Sequence, residues 1–216
     1  MIELLNDLDT KLFLFLNGFN SDFWDVVMWR VTRKYTWVPL YLAVLFLLFR
    51  KYRWQAFIPF LFIIAAVTVT DQGSGIMKYF FERPRPTHES ELAGMVHNYG
   101  KPGGPFGFVS AHAANSFVLA FITVKAISLR WYTWIIIAWA ILHSYTRIYL
   151  GVHYPGDILG GTALGLFTGW VFYNLMIFTC SKWLNQGISD CYIPSTVTPR
   201  HGNTTHKKWP CRIFQK

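Results

Sequence analysis

Five apolar stretches, most of them closed by basic residues, leave this 216-residue chain little choice of fold. The first runs from about Trp24 or Tyr35 to Phe49, and Arg50, Lys51 and Arg53 close it. The second covers Gln55 to Lys78, and the third starts at Ser110 and ends between Lys125 and Arg130. The fourth covers Trp131 to Leu150 and the fifth Asp157 to Cys180. A helix needs about 20 residues to cross the hydrocarbon core, and several uninterrupted apolar runs are shorter. The helices must then continue through polar residues, which belong inside a bundle because lipid cannot satisfy them. The expectation is an all-α, polytopic transmembrane helical bundle with about five spans. Composition agrees: 53% of residues are hydrophobic and only 14% charged, outside the range of ordinary soluble domains.

Ahead of the first span, residues 1–22 carry Leu4, Leu5, Leu8, Leu12, Phe15, Leu16 and Phe19 at helical spacing, which predicts an interfacial amphipathic helix. Glu3, Asp7 and Asp9, without a basic start, argue against a cleavable signal peptide. Residues 23–186 form the membrane domain, with an active-site loop at 81–109 rich in Pro and Gly. Residues 187–216 turn polar and basic and read as a disordered cytoplasmic tail. Three cysteines, Cys180, Cys191 and Cys211, have no CxxC spacing, which disfavours a disulfide framework or a structural zinc site. The net charge of +9 is divided between helix ends and tail, with no long basic face. That favours anionic lipid or phosphate as partner and excludes nucleic acid.

The basic residues at 50–53, at 125–130 and in the tail set the orientation. By the positive-inside rule they are cytoplasmic, and the opposite end faces the periplasm or exterior of a cell inner membrane. Arg30, Arg33 and Lys34 fit less well, falling outside or in an early kink.

Chemistry gathers at that opposite end in three clusters. Lys78 and Arg85 lie seven residues apart, the second followed by Pro86, and can clamp a phosphate between an ammonium and a guanidinium. Ser74 and Asp71 share the helical face of Lys78 one and two turns earlier and read as supports for it. Ser110 is suited to cap the third span, so the following amides would face an anion, with His112 in the first turn. Arg147, His153 and Asp157 are spaced six and then four apart. Asp157 can accept one imidazole N–H of His153 and leave the other nitrogen as a surface-facing nucleophile. His88, His97 and His143 read as loop or packing histidines.

In this order the clusters resemble the three-part signature of the type 2 phosphatidic acid phosphatases: Lys-x6-Arg-Pro, Pro-Ser-Gly-His and Ser-Arg-x5-His-x3-Asp. The first part is complete here; Val109 and Ala111 replace the Pro and Gly of the second, and Thr146 the Ser of the third. The resemblance, from about Asp71 to Gly161, implies a lipid phosphate phosphatase of the bacterial membrane-bound branch, similar to undecaprenyl-diphosphatases. It implies His153 as nucleophile forming a phosphohistidine, Asp157 orienting it, and His112 protonating the leaving oxygen. Lys78, Arg85, Arg147 and the backbone at Ser110 would hold the phosphoryl oxygens, with no metal or other cofactor. Undecaprenyl diphosphate is the favoured substrate, ahead of phosphatidylglycerophosphate and lipid A. The alternative from another class is a non-enzymatic transporter, against which stand the absence of a repeat and the clustering at one face.

Overall fold

The computed structural model describes residues 2–183, and among these it has seven α-helices and no strand. They are α1 (Ile2–Asn17), α2 (Asp22–Val31), α3 (Val38–Tyr52), α4 (Phe57–Phe81), α5 (Ala111–Ile127), α6 (Arg130–Tyr149) and α7 (Pro155–Trp183). Helices α3 to α7 correspond to the five apolar stretches. The stretches Lys34–Phe81 and Pro155–Lys182 are long and apolar enough to cross a membrane. The first helix of the bundle begins close to Tyr35 rather than at Trp24. A separate α2 and a 3-10 turn (Lys34–Trp37) intervene, so Trp24 belongs to another element.

Helix α5 is the axis of the bundle. Ala113, Ala114, Val118, Ile122 and Ala126 are all buried, on more than one side of the helix. Around it, Val44, Leu48, Ile63, Ala66, Ile136, Trp139 and Met176 fill the core from the other four helices. Helix α7 comes closest, because Gly161 and Gly165 face the backbone oxygens of Ser110 and Ala114 with no side chain between. Cys180 is buried in this core as a free thiol. Cys191, Cys211 and the tail expected at 187–216 lie outside the described residues.

The two ends of the bundle differ in chemistry. At one, Lys51 Nζ donates to the last carbonyls of α5, Ala126 at 2.7 Å and Ile127 at 3.2 Å. The basic turns 50–53 and 125–130 thus share an end, as the charge pattern requires. At the other end Arg147 donates to Thr32, which caps α2. Arg30, Arg33 and Lys34 therefore lie on the side of the polar clusters, outside the basic end.

The N-terminal helix is more than a surface float. Leu4, Leu5, Leu8, Leu12 and Phe15 are exposed, as an interfacial helix needs, but Phe13 and Asn17 on another face are buried. Phe13 packs edge-on to Tyr154 at 5.3 Å between ring centroids. Asn17 Nδ2 donates to the carbonyls of Ile148 and Tyr149 at the end of α6, and to His97 O. The two α6 carbonyls lie in its last turn, where Ile148 O also accepts from Gly151 N, so α1 adds to the capping of α6.

Candidate active site

Helix α4 stops where Glu82 takes the left-handed conformation (φ 47°), just before Pro84. The chain then folds back over the bundle end. Gly107 N donates to Arg83 O at 2.8 Å and Arg85 N to Pro105 O at 3.0 Å, pairing the two arms of the loop. This pairing lays Arg85 inward, held by Phe106 O (3.0 Å to Nε) and Val152 O (3.3 Å to one terminal nitrogen). Neither acceptor is a carboxylate, and the nearby charge of Asp157 acts on Arg85 only through space.

Between α6 and α7, Gly151 turns the chain at φ 74°, and its bare Cα faces His97 O, where a Cβ would collide. His153 follows, 2% exposed, and Asp157 in the first turn of α7 is fully buried. His153 Nδ1 lies 3.2 Å from Asp157 Oδ2, which also accepts from Tyr154 N at 3.1 Å. The one-turn spacing brings the pair together as expected, but the imidazole is enclosed rather than surface-facing, because the 83–107 loop covers it. Burial first, then the cations of Arg85, Arg147 and Lys78, push the His153 imidazole well below its ordinary range; the Gly107 backbone opposes this. The ring is therefore neutral at physiological pH, with Nδ1 as the nitrogen that faces the carboxylate.

Ser110 caps α5, its Oγ accepting from Ala113 N at 3.5 Å. Its own N–H is committed to Asp157 O at 3.0 Å. The amides of Ala111 and His112, which follow the cap, are left without an intrahelical acceptor. His112, Arg147, His153 and Lys78 all lie within electrostatic reach of one another. Lys78 also feels Arg85, Asp71 and Asp157. Arg147 donates to Thr32 Oγ1 at 2.8 Å, while its Nε is buried without a partner among the described residues. An orphaned guanidinium N–H beside two further cations marks a seat for an anion.

Asp71 accepts from Asn115 Nδ2 at 3.0 Å, on α5, besides acting on Lys78 through space. Ser74 does not support Lys78: its Oγ donates to Thr70 O at 2.8 Å within its own helix. Back-bonding satisfies a buried serine locally, and helical spacing alone cannot foresee that choice.

Two residues escaped the sequence reading, Arg83 and Asp9, and His143, read there as a packing histidine, packs beside the site. His143 stacks on the His112 ring at 5.4 Å and its Nδ1 lies 2.9 Å from Ser116 Oγ. Its position one turn before Arg147 was the available signal. Arg83 donates to Asp157 Oδ1 at 3.0 Å and to Asp9 Oδ2 at 2.7 Å. No sequence signal tied Asp9 to a residue 74 positions away.

A helical bundle with a buried imidazole–carboxylate pair, a second imidazole and three convergent cations defines the class of a membrane phosphatase. Residues 56–179 match the model of the PAP2 superfamily, more than half of the chain, and the chain belongs to that superfamily. It is 43% identical over 198 residues to a lipid A 4'-phosphatase of Bacteroides thetaiotaomicron, covering 90% of this chain and 86% of that one. An undecaprenyl-diphosphatase of Sulfolobus acidocaldarius is 28% identical over 167 residues, 76% of this chain and 72% of the relative. The fold matches the crystal structure of a transmembrane PAP2-type phosphatidylglycerolphosphate phosphatase from Bacillus subtilis. That match has a TM-score of 0.62 at 22% identity, covering 80% of this chain and 86% of the other. The chain is thus a lipid phosphatase and an enzyme, and the transporter alternative falls away.

Proposed function

We propose that this phosphatase acts on the phosphate of an acylated sugar lipid of the lipid A type, at the outward face of a cell inner membrane. The observation that carries the substrate is the 43% identity to a lipid A 4'-phosphatase over nine-tenths of the chain. It reverses the order expected from the sequence, in which undecaprenyl diphosphate came first. The 28% relative keeps that substrate as the second reading. Sidedness rests on the basic turns 50–53 and 125–130 meeting at the end away from the site.

The geometry supports the following chemistry. Asp157 holds Nδ1 of His153, so Nε2 attacks phosphorus while the bond to the leaving oxygen breaks and His112 supplies that oxygen's proton. Lys78, Arg85, Arg147 and the Ala111 and His112 amides balance the charge on the phosphoryl oxygens. Water then attacks the phosphohistidine; His112 takes its proton, the N–P bond breaks, and inorganic phosphate leaves. Three permanent cations do the work that a divalent ion does in other phosphoryl transfers.

The test is phosphate release by the purified protein in detergent, with chelator present, from lipid A, undecaprenyl diphosphate and phosphatidylglycerophosphate. Lipid A should give the highest kcat/KM. A higher value for undecaprenyl diphosphate would reinstate the second reading, and turnover of none of the three would remove both.

A further inference from the structure

The family match begins at residue 56, yet the N-terminal helix reaches the catalytic pair. Asp9 of α1 makes two bonds: its Oδ1 accepts from Gly156 N at the start of α7 at 2.8 Å, and its Oδ2 from Arg83, in the loop after α4, at 2.7 Å. The other terminal nitrogen of Arg83 donates to Asp157 Oδ1 at 3.0 Å. Oδ2 of the same carboxylate faces His153 Nδ1. A continuous chain of charge-assisted bonds therefore runs from Asp9 through Arg83 and Asp157 to His153. We infer that Asp9 and Arg83 are positioning residues for the reaction, and that α1 is part of the catalytic apparatus.

Several features show this to be a built connection rather than a surface ion pair. The side chains of Asp9 and Arg83 are mostly buried and that of Asp157 completely. The Arg83 guanidinium lies 4.3 Å from the ring centroid of Tyr154, which Phe13 of α1 packs against from its own side. Gly156 leaves the space that Asp9 occupies, for a Cβ there would stand 2.6 Å from Asp9 Oδ2. The physical need is clear. A carboxylate that accepted only from His153 and Tyr154 N could rotate about its own side-chain bonds. Arg83 pins the second oxygen, and Asp9 pins Arg83 while neutralising the extra charge. The count is two carboxylates to one guanidinium, so the His153 site meets a fixed anion and not a mobile salt bridge. Arg83, fully engaged by two carboxylates, is no phosphate ligand, unlike Arg85 two residues on.

The inference rests on His153 as nucleophile, and the experiment separates the two. Asp9→Asn, Arg83→Gln and Arg83→Lys are made in the full chain, with His153→Gln as reference and Asp7→Asn as control. Among the described residues, Asp7 pairs only with Lys11, on the exposed face of α1. Turnover and thermal unfolding are measured in detergent. A misplacement approaching 1 Å at the reacting group costs about 100-fold. Arg83→Gln should lose turnover on that scale in kcat, with KM changed less than about twofold because Arg83 does not touch the substrate. Asp9→Asn, isosteric and folded, should lose kcat in the same direction, and Arg83→Lys should recover part of the loss. Asp7→Asn should match wild type. Wild-type kcat in Asp9→Asn and Arg83→Gln, beside an inactive His153→Gln, would overturn the inference alone. A loss expressed in KM would overturn it too, by making Arg83 a substrate ligand. If Arg83→Gln fails to fold, Asp9→Asn decides by the same criterion. Activity in His153→Gln would instead remove the nucleophile.

Discussion

Replacing Gly107 by alanine presses a single methyl group against the Asp157 carboxylate of the proposed site. A Cβ on Gly107 would stand 2.8 Å from Asp157 Oδ2 and 3.4 Å from Arg85 Cγ. The first distance is roughly half an ångström inside ordinary van der Waals contact. The loop cannot simply lift, because Gly107 N is bonded to Arg83 O at 2.8 Å. Asp157 must yield instead, and the oxygen that moves is the one facing His153 at 3.2 Å. Displacements approaching 1 Å at a reacting centre cost about 100-fold. A shift of half that size should lower kcat by about 10- to 100-fold, which corresponds to roughly 1.4 to 2.7 kcal/mol of barrier. Overpacking should cost about 1–3 kcal/mol of stability, so the protein remains folded in the cold. Gly104→Ala, three residues earlier, is the matched control, since a Cβ there meets nothing within 4 Å. Phosphate release and a melting curve in detergent give both numbers for both variants. Gly107→Ala with kcat within twofold of wild type would refute the claim that the Asp157 oxygen must hold its place.

Other expectations follow from the same geometry. His153 is held neutral by burial and by Arg85, Arg147 and Lys78, so the acid limb of kcat/KM should lie well below pH 6.5, as a pH profile will show. The linked effect on stability has one sign. A histidine depressed in the folded state contributes stability that is complete above about pH 6.5 and is lost as pH falls, so melting temperature should drop on acidification, and less steeply in His153→Gln. Excess EDTA should leave turnover unchanged while vanadate inhibits, because its adduct on His153 would mimic the transition state; dependence of turnover on added magnesium or zinc would contradict the three-cation seat. Gly165→Ala would set a Cβ against the Ala114 backbone and force α5 from α7, costing about 1–3 kcal/mol in a melting experiment. Single cysteines in the 89–101 loop should react with an impermeant thiol reagent on spheroplasts, and one at Arg53 only after lysis; the reverse pattern would invert the proposed orientation.

Sequence alone determined the five bundle helices, because burial in lipid demands long apolar helices and leaves their basic ends as markers. It also supplied the residues of the proposed site. Lys78, Arg85, His112, Arg147, His153 and Asp157 are rare residue types at the ends of apolar runs, and the pairing of His153 with Asp157 is a one-turn matter that spacing predicts. What only the tertiary structure decided are the contacts between elements far apart in the chain. Asp9 lies 148 positions from Asp157 in number, and nothing local marks it as the partner of Arg83. Ser110 spends its amide on Asp157 O, and Ser74 its hydroxyl on Thr70 O, because a buried polar group takes whichever acceptor the packed backbone places nearest. The same rule encloses His153, which a reading of helix ends leaves at the surface. Local period and charge can be read from one segment at a time, whereas the choice of hydrogen-bond partner depends on where every other segment lands.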